Sequence, residues 1–271
     1  MEAIGGSVQA VRRGLLALAW AIVVAVGLSG CGTTPPGDDI PTASDESEAR
    51  KRARIRLQLA VGYFEQGKTT VALDEVKQAL AVDPAFVDAY NLRGLIYTQL
   101  NDARLAEESF RRALALNPND PNVLHNYGWM LCLNKRYAEG VQTFDKALAV
   151  PTYGERAKTW LTRGLCQIRA GQLREAEESL AHSMEFDARN PITGYNLALL
   201  LYQRGDLERA QFYIRRVNNG EFANAETLWL GIKIEHRLGN RVARDQLGTQ
   251  LRNRFPQSPE LALYDRGAFY E

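Results

Sequence analysis

Two tracks of small residues run through this chain with one shared period. Ala60, Gly94, Gly128, Gly164 and Ala198 are separated by 34, 34, 36 and 34 residues. Ala72, Ala106, Gly140, Ala176 and Ala210 repeat the same intervals, 34, 34, 36 and 34. Four residues after each member of the second track stands a bulky apolar side chain: Val76, Phe110, Phe144, Leu180 and Ile214. On a helix, that spacing puts the bulky group one turn along the same face. Small residues on two facing helices let the backbones approach, and the bulky residue fills the space beyond them. Gly67, Gly171, Gly205 and Gly239 fall between the two helices of a unit, where a left-handed backbone suits Gly. Pro84 and Pro118 stop the second helix. A unit of this kind cannot bury its apolar face alone, so units must stack.

The period and the Ala106, Phe110, Pro118 pattern resemble the tetratricopeptide repeat. Tyr90, Gly94 and Tyr97 match its first-helix signature, with Arg93 where Leu is usual. The resemblance implies an all-α superhelical solenoid of about six helix-turn-helix repeats over residues 53–271. Units are expected at about 53–86, 87–120, 121–156, 157–190, 191–224 and 225–258. The two extra residues of the third unit fall near Pro151–Gly154, a turn-rich stretch. The sixth unit keeps only part of the pattern, as expected of a terminal cap.

Ahead of the repeats lies an address. Arg12 and Arg13 precede an apolar run from Leu15 to Leu28. Its 14 residues fall short of the ~20 that span a bilayer, so residues 1–30 read as a secretory signal. The run ends in Leu28-Ser29-Gly30-Cys31, which resembles the bacterial lipoprotein box. That resemblance implies a covalent lipid on the Cys31 thiol and an anchored protein. Gly32 rather than Asp after the lipidated Cys resembles the outer-membrane sorting pattern. Residues 31–52, rich in Pro, Gly, Ser and Asp, read as a flexible tether.

Composition excludes several roles. The formal charge is +1, from 33 Lys+Arg against 32 Asp+Glu. Dedicated nucleic-acid binders usually carry a strongly basic face, so nucleic acid is not an expected partner. His125, His182 and His236 lie far apart and suggest no metal cluster. Gly62 to Thr69 satisfies the phosphate-loop pattern letter for letter, but it falls in register with the repeat. Tyr63 and Phe64 then lie on a helix, Gly67 at its turn, and Lys68 is a turn residue. A phosphate loop needs a strand before it and a helix after it. No catalytic pattern, small-molecule substrate or cofactor is read from the chain, apart from the lipid on Cys31. Cys132 and Cys166 lie on first helices of adjacent units at different repeat positions, which favours buried free thiols over a disulfide. His125 reads as a packed or hydrogen-bonded side chain rather than a groove contact.

In tetratricopeptide proteins the first helices line a groove, at positions 2, 5, 9 and 12 of each unit. By that resemblance, positions 5, 9 and 12 give Leu57, Val61 and Phe64 in the first unit. Asn91, Leu95 and Thr98 follow in the second, and His125, Trp129 and Cys132 in the third. The fourth contributes Leu161, Leu165 and Ile168, and the fifth Tyr195, Leu199 and Tyr202. The lining is apolar enough to mark a partner surface. The first-unit trio stands out, since no repeat is expected before it.

A lipoprotein with about six such repeats resembles the type IV pilus biogenesis and stability lipoprotein, the pilotin of the pilus secretin. Val123 to Cys132, followed by Lys135-Arg136-Tyr137, is similar to that family's asparagine-tyrosine-glycine segment. Leu230-Gly231-Ile232-Lys233 and Gln250 to Pro256 are similar as well. The resemblance implies a non-enzymatic role in which the protein binds secretin subunits on the periplasmic face of the outer membrane and promotes their localisation and multimerisation. A barrel-assembly or cell-wall synthesis adaptor is the alternative reading.

Overall fold

The computed structural model describes residues 46–270. The signal segment, the lipoprotein box with Cys31 and most of the expected tether lie outside the described residues. Among the described residues every regular element is a helix, and none is long and apolar enough to cross a membrane.

The helices come in pairs. The first pair is α1 (Glu48–Glu65) with α2 (Thr69–Val82), the second α3 (Val87–Gln99) with α4 (Ala103–Leu116), and the third α5 (Pro121–Leu133) with α6 (Tyr137–Leu148). Then come α7 (Arg156–Arg169) with α8 (Leu173–Phe186), α9 (Pro191–Arg204) with α10 (Leu207–Asn218), and α11 (Ala225–Arg237) with α12 (Arg241–Arg254). A short α13 (Pro259–Asp265) follows. Within each pair the two helices pack most extensively on one another, and the second helix of a pair then packs on the first helix of the next, the nearest-neighbour pattern of a solenoid.

Local chemistry sets these boundaries. Helix α1 begins at Glu48, inside the stretch read as tether, because the Ser47 hydroxyl accepts from Arg50 N–H at 3.1 Å and caps it. Asp120 and Asn190 cap α5 and α9 in the same way, each with Pro at the first helical position. Asn224 and Thr227 form a reciprocal capping box on α11. The left-handed residues between pair mates are Gly67, Asn101, Lys135, Gly171, Gly205 and Gly239. Two of the six are therefore not Gly.

The small-residue tracks lie where the helices touch. Ala72, Ala106, Ala176 and Ala210 are fully buried. A Cβ on Gly94 would come within 2.6 Å of the Phe110 ring, and one on Gly128 within 2.9 Å of Phe144. One on Gly164 would lie 2.9 Å from Leu180. The bulky third track thus occupies the space that the first track vacates.

The two ends differ from the middle. Tyr90, Leu92 and Ile96 of α3 are buried, whereas the residues 34 earlier on α1 are Arg56, Gln58 and Gly62. Ile55 (59% exposed) and Leu59 (46%) remain open on the same helix. At the other end, the sixth pair is not the terminal cap that its degenerate pattern suggested. Leu261 of α13 packs with Leu228, Trp229, Ile232 and Leu251, so this short thirteenth helix covers the sixth unit.

Candidate functional site

The first helices α1, α3, α5, α7, α9 and α11 line the inner face of a tetratricopeptide-type stack. The expected groove residues sit there in one graded pattern. Leu57, Phe64, Leu95, Trp129, Leu165, Ile168, Tyr195, Leu199 and Tyr202 are half-buried, each packed against a core cluster while part of its surface stays open. Val61, between Leu57 and Phe64, is 38% exposed. Asn91 and Asn126 meet across α3 and α5, where Asn126 Nδ2 donates to Asn91 Oδ1 at 3.0 Å. Leu161 is buried and belongs to the core.

His125 and Cys132, like Leu161, are named groove positions that the fold closes. Cys132 and Cys166 form a disulfide between α5 and α7, with Cα atoms 5.8 Å apart. This corrects the expectation of free thiols. Both residues are buried, and Gly140 nearby lets α6 approach α5, since a Cβ there would lie 2.9 Å from the Gly128 carbonyl oxygen. Position 12 of one first helix faces position 10 of the next because the two helices are staggered, so unequal repeat positions do not keep the sulfurs apart. His125 is packed and hydrogen-bonded, as read. Its Nδ1 lies 2.8 Å from Thr159 Oγ1, which lies 2.7 Å from Tyr153 Oη. Burial, and then the charge of Lys158, push the His125 imidazole down to about 4, so the ring is neutral at pH 7.

The sixth unit extends the site beyond the residues named from sequence. Trp229, Lys233 and His236 stand 34 residues after Tyr195, Leu199 and Tyr202, and that register was the available signal. The Lys233 ammonium lies over the Tyr202 ring at 5.6 Å and over Trp229 at 5.8 Å. The Arg237 guanidinium lies 4.9 Å over Tyr202, and Arg169 lies 4.7 Å over Trp129. The Tyr195 hydroxyl donates to Glu226 Oε1 at 2.6 Å, and burial together with that carboxylate raises its phenol. Phe269 folds back onto the unit, stacked on His236 at 4.3 Å and 6.0 Å from Trp229.

The phosphate-loop match has no phosphate cradle. Gly62 to Glu65 belong to α1, Gly67 takes φ +72°, and Lys68 stands just before α2, its Nζ donating to Gln66 Oε1. No cluster of His, Cys, Asp and Glu suited to a metal occurs among the described residues. The arrangement can grip a polypeptide, and the Thr159 hydroxyl that lies against the His125 imidazole is buried away from it.

Stacked helix pairs with a half-open apolar inner face define a tetratricopeptide-repeat protein, a scaffold for protein partners. Two family models agree: a tetratricopeptide repeat over residues 57–121 and a SusR N-terminal TPR domain over 97–227. The chain is 31% identical over 238 residues to the type IV pilus assembly protein PilF of Pseudomonas aeruginosa, covering 88% of this chain and 93% of that protein. A solved structure of Pseudomonas aeruginosa PilF superposes with a TM-score of 0.72 at 28% identity, over 82% of this chain and 100% of that one. PilW, a widely conserved type IV pilus biogenesis factor, superposes with a TM-score of 0.69 at 35% identity, over 78% and 97%. The chain belongs to the PilF/PilW family of type IV pilus assembly factors, which are not enzymes.

Proposed function

We propose that this protein is an outer-membrane lipoprotein that serves as pilotin for the secretin of the type IV pilus. Lipid on Cys31 holds it on the periplasmic face of the membrane, and the inner face of the repeats binds secretin subunits. A single acyl chain anchors only marginally, so stable residence rests on the several chains that such lipoproteins carry. Tethering raises the local concentration of a bound subunit at the membrane and so favours multimers.

The observation that carries this reading is the first unit. Leu57, Val61 and Phe64 form one apolar stripe on α1, and Val61 is 38% exposed in a member of the pilus assembly family. A partner segment laid along the stripe would bury apolar surface at ~25 cal/mol per Å2 before the costs of association. The test is capture from detergent-solubilised envelope, with the captured protein identified, beside fractionation of Cys31→Ser. Secretin on the wild-type protein and loss of the variant from the outer membrane are expected. Capture of a barrel-assembly or cell-wall synthesis component instead would replace the secretin reading. A Cys31→Ser protein that stays in the outer membrane at wild-type level without its partner would remove the anchor from it.

A further inference from the structure

Many arginines of the solenoid are neutralised by carboxylates of the same chain. Arg136 pairs with Glu107 and Glu139, Arg204 and Arg209 share Glu177, and Arg215 holds the buried Glu235. Arg169 and Arg237 are among those that are not, and they share a place on the inner face. Each ends a first helix, each is exposed, and among the described residues neither has a carboxylate within ion-pair reach. Each is instead held over an aromatic ring of the neighbouring first helix, Arg169 at 4.7 Å over Trp129 and Arg237 at 4.9 Å over Tyr202. Arg237 is fixed further by donating from Nη1 to the Tyr202 carbonyl at 3.2 Å.

A guanidinium lying on a ring keeps its N–H edge free, and that edge matches the two oxygens of a carboxylate. The ring also holds the fork in place, so less side-chain entropy is lost when an acid binds. Lys233 adds a cation over Tyr202 and Trp229. Glu226, the carboxylate on this face of the sixth unit, already accepts from Tyr195. Between these charges the lining is apolar: Leu165, Ile168, Leu199 and the exposed parts of Trp129 and Tyr202. The chain's own Phe269, stacked on His236 at 4.3 Å, shows the kind of ring the face accepts.

We infer that the groove from the third to the sixth unit takes an acidic peptide segment, one in which carboxylates alternate with aromatic or aliphatic side chains. This rests on the reading of the inner face as the partner surface and supplies the chemistry of the partner. Arg169 and Arg237 are the acid-reading residues, and the rings beneath them read the apolar side chains.

The test is selection from a random peptide library on the immobilised full-length chain in detergent, followed by titration of a selected peptide. Enrichment of Asp and Glu together with Phe, Tyr, Trp or Leu is expected. Affinity should weaken as salt rises, and Arg169→Gln with Arg237→Gln should weaken it about tenfold. Arg216→Gln is the control: that cation also lies over a ring, Phe212 at 5.7 Å, but on a second helix, and its loss should change nothing. Selected peptides without acids, no selected peptide at all, or equal binding by the double variant would overturn the inference. So would Arg169- and Arg237-dependent binding of phosphatidylglycerol vesicles in place of peptides. Secretin capture is measured in parallel. Acidic peptides bound through both arginines without secretin capture would sink the secretin reading alone, whereas capture untouched by the double variant would sink this inference alone.

Discussion

Cys132 on α5 and Cys166 on α7 are joined across the boundary between the third and fourth units, 34 residues apart in sequence and with Cα atoms 5.8 Å apart. Closing a loop of that length removes denatured-state entropy worth about 4 kcal/mol. Urea unfolding of the oxidised protein and of Cys132→Ala with Cys166→Ala should differ by up to that amount. Reductant should lower the wild-type midpoint and leave the double variant unmoved. Equal midpoints for the oxidised protein and the double variant would show that the bond constrains nothing in the unfolded chain.

The same boundary makes stability depend on pH. His125 has its imidazole pushed from 6.5 to about 4 by burial and Lys158. The unfolded chain therefore binds a proton that the folded chain refuses. Stability from this group is complete above pH 6.5 and falls as pH drops towards 4, by about 3 kcal/mol in all. His125→Gln should lose that part of the slope between pH 6.5 and 4, read as the difference between the two unfolding curves. Parallel curves would mean that the ring takes up its proton without opening the fold.

Turn residues offer a gain and the helix contact a loss. Lys135 adopts φ 62° where four other units carry Gly. Lys135→Gly should stabilise by about 0.5–1 kcal/mol, since the left-handed cost to a residue with a Cβ exceeds the entropy cost of Gly. Gly94→Ala should destabilise by about 1–3 kcal/mol, because its Cβ meets the fully buried Phe110. A stable Gly94→Ala protein would mean that the ring can move aside at little cost.

On the inner face, Val61→Asp separates binding from folding. Val61 is 38% exposed, so the substitution should change stability by within about 0.5 kcal/mol. Capture of the partner should be lost, because a carboxylate in the stripe cannot be desolvated without a counter-charge. Phe64→Ser is a harsher probe: Phe64 is half-buried against the first core cluster, and its loss should reduce both melting temperature and capture. Normal capture by Val61→Asp would remove the first unit from the interface.

How much of this was legible in the sequence follows from what repeats. The helix pairs were readable because Gly94 needs Phe110 and Gly128 needs Phe144, and the period records that contact unit after unit. Four of the six left-handed turns were readable as Gly. Asn101 tolerates the left-handed region but departs from the Gly pattern, and at Lys135 the stack imposes that backbone against the residue's own preference. The Cys132–Cys166 bond was misread because repeat positions give a residue's place on its own helix, not the stagger between two helices. Helix α13 follows no period, so nothing in the two tracks announced it. The lipoprotein box is legible only as sequence, and the chosen partner only through chemistry such as the cations over Trp129 and Tyr202.

The third unit is the one whose length departs from the period, and its extra residues carry Tyr153 inward to Thr159 and His125. The polar chain and the disulfide thus cross one seam. A solenoid whose units touch only their neighbours yields to a pull one joint at a time, like a chain of beads. Pulled from its two ends, the stack opens joint by joint from either side, but the bolted central joint transmits force without parting. Mechanically, the molecule is two three-unit springs on a common rivet.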